Sequence, residues 1–303
     1  MFGVRRRQLA LKNAVHYDAD RTFQSAEWAT DEDLRKAGCF VDNGFLAGFT
    51  KSGRPFYFPQ TRKVHGFIGG SSGSGKSSQL SNILLSWRHS VFCLDNVGEL
   101  ACISARLRSR FGPVQIVAPY PIFETELARF KRVGFNPISP RYIDPSDRNM
   151  VGIRCAKIAC AIVLKEEHTA EQYWANTARQ LVTIVIICVV LYFPIHLRNL
   201  ATVAAIIMGD VLAFARHMMK VSNDPYIRAK LSRYAIKLGD SEVKSLLEVI
   251  ESARSEVDFL GEPPVADFFS RDELDFDLVM HGRGSIFVIQ PQEVVKEMTR
   301  FRR

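Results

Sequence analysis

The chain has 303 residues, 47% of them hydrophobic, which is enough for one large domain or two with a substantial core and excludes a disordered or fibrous protein. Its 40 lysines and arginines outnumber 32 aspartates and glutamates, giving a formal charge of +8 and an isoelectric point near 9.2. That balance suits a polyanion or an anionic membrane surface, but solvated basic faces produce it too, so charge alone is weak evidence.

Arg5-Arg6-Arg7 has no apolar stretch behind it, so the N-terminus is not a secretory signal. From Ser25 to Gln60, Asn43-Gly44, Ser52-Gly53 and Pro55 separate short apolar pieces such as Phe56-Tyr57-Phe58, and this predicts small β elements. Val64-His65-Gly66-Phe67-Ile68 is then a predicted strand, and Gln79 to Trp87 carries apolar residues at helical spacing. Between them Gly70-Ser71-Ser72-Gly73-Ser74-Gly75-Lys76-Ser77 fits the phosphate-loop pattern G-x-x-x-x-G-K-[ST]. The pattern alone arises in on the order of one chain in a hundred of this length, so the flanking strand and helix carry the assignment. A flexible Gly/Ser linker is the bland alternative, but it needs no lysine and serine at the mouth of an amphipathic helix.

In such a loop the glycines let successive N–H groups point at phosphates, and the following helix adds the positive end of its dipole. Lys76 would reach the β- and γ-phosphates and the Ser77 hydroxyl would sit on Mg²⁺. Gly70, Ser71, Ser72, Gly73, Ser74, Gly75, Lys76, Ser77 and Ser78 are therefore the candidate cofactor-binding residues.

Ser90 to Asp95 reads as a buried-type strand ending in an acid, followed by a helix with Arg106, Arg108 and Arg110 and the strand Val114 to Val117. This is β-α-β-α-β order. From about Met150 to about Ala266 the pattern turns helical: Cys155 to Leu164, Gln172 to Phe193, Asn199 to Lys220, Pro225 to Leu238 and Glu242 to Leu260. Gly284 to Pro291 is a lone buried strand that needs a sheet to join. Its return to the first sheet would make the helical unit an insertion. The expected division is an N-terminal segment 1–60, a nucleotide-binding domain 61–150 plus 266–303, and a helical insertion 151–265.

The longest apolar run, Leu181 to Phe193, would span about 20 Å as a helix against a hydrocarbon core of about 30 Å, so it is read as a buried core helix. Cys39, Cys93, Cys102, Cys155, Cys160 and Cys188 form no C-x-x-C pair or His/Cys cluster at zinc spacing. They are read as reduced core thiols of a cytoplasmic protein.

In shared order, several of these segments resemble the TraG/VirD-type coupling proteins of type IV secretion and conjugation. They are Ser25 to Thr30 with Asp33 to Gly38, the loop His65 to Ser77, Leu94-Asp95-Asn96-Val97-Gly98-Glu99-Leu100, and Gly134-Phe135-Asn136-Pro137-Ile138. Trp174 with Ala178, and Ser252 through Phe259-Leu260 to Ile289-Gln290-Pro291, complete the series. The resemblance implies an α/β fold, a RecA-like P-loop nucleotide-binding domain with an inserted all-α domain. It also implies ATP and Mg²⁺ as cofactors and a ring-shaped homo-oligomer, or assembly with full-length relatives. Its implied partners are DNA bound without sequence preference, a relaxase or secreted protein substrate, and secretion-channel proteins. It places the chain in the cytoplasm, peripheral at the inner face of the bacterial plasma membrane.

Asn96 and Val97 stand where that family has proline and lysine, no transmembrane anchor precedes the loop, and the chain ends before the family's apolar strand closing in Asp-Glu. The expectation is thus a chain that grips phosphates without cleaving them efficiently by itself. It is either an ATP-binding coupling protein or a truncated, non-hydrolysing nucleotide-binding module that assembles with or regulates full-length relatives. A small-substrate kinase is disfavoured by the lack of a lid signature.

Asp95 can hold Mg²⁺ through water, or equally can order the turn at Gly98. Glu99 reads as a first-turn helix residue and His65 as a packed one. Arg106, Arg108, Arg110, Arg129, Lys131 and Arg132 are candidate phosphate contacts, each more readily explained as a solvated face.

Overall fold

The computed structural model describes residues 28–41, 44–59, 66–163, 169–235 and 240–290. The chain divides into two compact units, Met1–Lys76 and Ser77–Arg303.

In the first unit a helix, α1 (Asp31–Lys36), precedes an antiparallel hairpin of β1 (Gly44–Phe49) and β2 (Pro55–Pro59). The hairpin is the expected small β element. The helix is a difference, and its cause is local: Thr30 and Asp33 form a reciprocal capping box that satisfies two N–H groups at the helix start. Gly53, at φ +78°, lets the hairpin reverse.

The second unit opens with α2 (Lys76–Ser86), which starts at the boundary residue. It continues through β3 (Val91–Asp95), α3 (Glu99–Arg108), β4 (Val114–Val117) and a short β5 (Lys131–Arg132). A helical series follows: α4 (Arg148–Ile162), α5 (Thr169–Tyr192), α6 (Leu200–Met208), α7 (Val211–Val221), α8 (Pro225–Ala235), α9 (Asp240–Val257), α10 (Pro263–Ser270) and α11 (Asp277–Met280). The last strand, β6 (Ser285–Ile289), runs parallel to β3 on one side and β4 on the other, giving the sheet order β3-β6-β4-β5. The fold class is α/β, with a parallel sheet whose β5-to-β6 connection is helical.

Ile286, Phe287 and Ile289 of β6 are fully buried, as a strand flanked by strands and covered on both faces should be. β3 differs from the buried strand expected: it ends the sheet among the described residues, and Phe92 and Leu94 are well exposed. No strand forms at residues 66–68, and Phe67 is 94% exposed. Residues 64 and 65, the rest of that expected strand, lie outside the described residues.

Arg108 locks the sheet end of this unit. It is 1% exposed, and its guanidinium donates to Ser285 Oγ at 2.9 Å, to Leu84 O at 3.3 Å, and to Trp87 O and His89 O. One side chain thereby closes the end of α2 and the turn after it, and ties both to β6. Burial pushes its pKa down from the usual guanidinium value, yet its donors are matched by acceptors, as a buried cation requires.

The helical core centres on α5, where Leu181, Val182, Val185, Ile186 and Val189 are fully buried. At 24 residues, α5 is about 36 Å long. The expectation that this element is too short to cross a bilayer is therefore corrected. Tyr173–Tyr192 is long and apolar enough by length and composition, and its packing against neighbouring helices is what identifies a core helix. The single helix expected from Asn199 to Lys220 is broken by 115° between α6 and α7. Asp210 caps the new helix by accepting from Ala213 N at 2.8 Å, and Arg254 of α9 donates to the freed carbonyls of Ile207 and Gly209.

Candidate functional site

The loop Gly70 to Gly75 is exposed and irregular, and α2 begins at its last reach, with Lys76. Gly73 and Gly75 adopt φ of +76° and +86°, conformations that side chains resist. The Lys76 ammonium curls over the loop to donate to Ser71 O at 2.6 Å. At Gly70 a Cβ would lie 2.4 Å from Ser74 Oγ, so any larger residue there would require the Ser74 hydroxyl to rotate away. Ser77 and Ser78 occupy the first turn of α2 with exposed side chains, and the Ser77 carbonyl accepts from Ser81 Oγ at 2.9 Å. All nine candidate residues therefore lie in one continuous segment that combines backbone donors, a cation and a hydroxyl at a helix N-terminus.

Asp95 ends β3 and is 3% exposed. Oδ1 accepts from Gly98 N at 2.9 Å and Val97 N at 3.3 Å, and Oδ2 accepts from Ala101 N at 2.9 Å. The carboxylate thus orders the turn into α3, where Gly98 takes φ +90° and packs so tightly that a Cβ would meet Phe123 at 2.4 Å. Among the described residues no group of three or more His, Cys, Asp or Glu side chains could hold a metal. A cation bound here would need oxygens from its ligand, which is how Mg²⁺ is held beside phosphates. Burial first, and then the charge of Asp95, pushes the Cys93 thiol up to about 11, so it offers no thiolate at neutral pH.

The basic candidates separate. Arg108 is structural. Lys131 pairs with Glu273 at 3.2 Å, and Arg132 donates to Tyr120 O at 3.0 Å and to Ile122 O. Arg106, Arg110 and Arg129 are exposed, as is Glu99. Of the cysteines, Cys39, Cys155 and Cys188 are buried as expected, Cys93 and Cys102 partly so, and Cys160 is on the surface of α4. The candidate His65 lies outside the described residues. The turn at Gly98 is the one that sequence reading attached to Asp95, whereas Phe123, a non-glycine residue at φ +49°, was missed because such a position carries no pattern of its own.

Among solved structures, the bacterial conjugative coupling protein TrwBdeltaN70 in an unbound monoclinic form is 11% identical, with a TM-score of 0.33, over 71% of this chain and 48% of that one. The plasmid coupling protein TrwB with a non-hydrolysable ATP analogue is 14% identical at a TM-score of 0.31, over 71% and 50%. Its complex with ADP and Mg²⁺ is 15% identical at 0.29, over 71% and 49%. The chain spans about half the length of these structures. No curated protein matches the sequence at a significant level. The type IV secretory system conjugative DNA transfer family matches residues 21–302, nearly the whole chain, and the chain belongs to that family.

Proposed function

We propose that this chain is an ATP-binding coupling protein of a type IV secretion or conjugation system, gripping ATP with Mg²⁺ at Gly70 to Ser78. The observation that supports this most is the loop itself: two glycines at positive φ, the Lys76 ammonium folded across it, and a helix starting at that lysine. Backbone N–H groups and Lys76 would hold the phosphates, and Ser77 would hold Mg²⁺. Asp95, whose oxygens keep lone pairs beyond those the turn uses, would contribute to Mg²⁺ through water. Mg²⁺ would supply charge neutralisation at the phosphates. In this reading 61–150 with 266–303 forms the nucleotide domain, 151–265 the helical insertion and 1–60 the N-terminal segment.

The partners that fit are DNA held without sequence preference, a relaxase or secreted protein, channel proteins at the inner face of the plasma membrane, and further copies or longer relatives in a ring. DNA affinity should fall steeply with salt if phosphates are the contacts. The test of the loop is titration with a fluorescent ATP analogue. Lys76→Ala should lower affinity at least tenfold, since a charge-assisted hydrogen bond contributes about 1.5–3 kcal/mol; equal binding by both proteins would sink the assignment.

The second reading, a module that binds nucleotide without efficient turnover, is favoured by the state of Asp95. Its oxygens are committed to three backbone N–H groups, which suits a turn-holder better than a base that orients water. Lacking a catalytic base typically costs a rate factor of about 10² to 10⁴. Phosphate release by the purified chain should stay near background even with DNA. DNA-stimulated release that disappears in Lys76→Ala would overturn this second reading in favour of a complete motor.

A further inference from the structure

A cavity of about 370 Å³ opens between α4, α5 and α8, within the size range of small-molecule sites. Helical periodicity builds its walls. Asn176, Arg179, Gln180 and Thr183 recur at three- and four-residue spacing on α5, and Tyr226 and Lys230 lie one turn apart on α8. The opposite side of α5 is fixed in the helical core through Leu181, Val182 and Val185, so the cavity face is presented from a rigid scaffold.

Among the described residues two cations and no carboxylate line this space. Arg179 donates through Nη2 to Val163 O at 2.8 Å and through Nη1 to Asn176 Oδ1 at 3.5 Å, but its Nε–H is buried with no acceptor among the described residues. These two acceptors fix the guanidinium at the cavity wall, where its charge favours an anionic oxygen. The Lys230 ammonium lies 5.7 Å from the centroid of the Tyr226 ring, and Tyr226 is 54% exposed. An exposed aromatic beside two cations can stack a base whose phosphate the cations hold, while Asn176 and Gln180 offer amide donors and acceptors for its polar edge.

We propose that this cavity binds a nucleotide unit, its phosphate on Arg179 and Lys230 and its base against Tyr226, independently of the phosphate loop. The unit is either a free mononucleotide or one residue of single-stranded DNA. The experiment uses the full chain carrying Lys76→Ala, so that loop binding does not mask the second site and the loop assignment can fail without affecting the outcome. Saturation-transfer NMR and calorimetry would follow thymidine monophosphate and, separately, inorganic phosphate.

The nucleotide should bind several-fold more tightly than phosphate. Lys230→Gln should weaken both about tenfold, and Tyr226→Ala should weaken the nucleotide alone. Both substitutions sit at exposed helix positions, and circular dichroism checks that the fold survives them; Lys230→Arg should retain binding. Displacement of the mononucleotide by a dodecamer of thymidylate supports single-stranded DNA as the source, and its failure to compete supports a free nucleotide. Absence of nucleotide binding, phosphate binding just as tightly, or affinity unchanged in Lys230→Gln would overturn the proposal.

Discussion

Lys76 and Arg108 are both cations that donate to backbone carbonyls, and sequence patterning makes each a candidate for phosphate. Their settings divide them. Lys76 donates to Ser71 O on an exposed loop, where water or a phosphate oxygen replaces that carbonyl at little cost. Arg108 is sealed among Leu84, Trp87, His89 and Ser285, where no solvent can take over its bonds. What a cation does here follows from the solvent access of its acceptors more than from its spacing in the chain.

The strongest way to break this comparison is to remove each charge and measure stability. Arg108→Met keeps much of the side-chain volume but strands several buried acceptors, and urea unfolding should show a loss of about 3–5 kcal/mol. Lys76→Ala should stay within about 0.5 kcal/mol of the parent, as exposed substitutions usually do. Similar losses for the two would mean that the loop carries structural strain after all.

Asp95→Asn sharpens the same division at an anion. The amide keeps one acceptor oxygen and presents an NH₂ group to a backbone N–H, so a buried donor goes unmatched and stability should fall by about 1–3 kcal/mol. If nucleotide affinity fell as well, with stability restored by a compensating substitution elsewhere, Asp95 would belong to the Mg²⁺ shell in addition to the turn.

The smallest effect concerns thiols. Burial pushes Cys155 and Cys188 up to about 12 from an ordinary value of 9.0, so the unfolded chain releases these protons first. Their contribution to stability is full below about pH 9 and is lost as pH rises from there toward 12. In the native protein at pH 8, mass spectrometry after alkylation should find Cys160 modified, with Cys155 and Cys188 protected until denaturant is added. Early labelling of Cys188 would show that the helical core opens locally.

The phosphate loop was legible because its function is written in consecutive residues: glycines for positive φ, then lysine and serine at a helix start. The β3–α3–β4 order and the returning strand β6 were legible for a similar reason, since short apolar runs bounded by turn residues mark strands whatever surrounds them. The break between α6 and α7 was hidden by continuous apolar periodicity across Gly209-Asp210, and what relieves the broken helix end is Arg254, far away in the chain.

The sequence by itself determined the local chemistry, because backbone conformation and helix capping depend on neighbours within a few residues. Tertiary structure alone decided which charges are buried and which are offered to a ligand. It sealed Arg108 beneath β6, turned Asp95 toward three N–H groups, and brought Arg179 and Lys230 from separate helices to one cavity. The physical reason is that burial and convergence are properties of packed surfaces, and a chain specifies those only once its elements have docked.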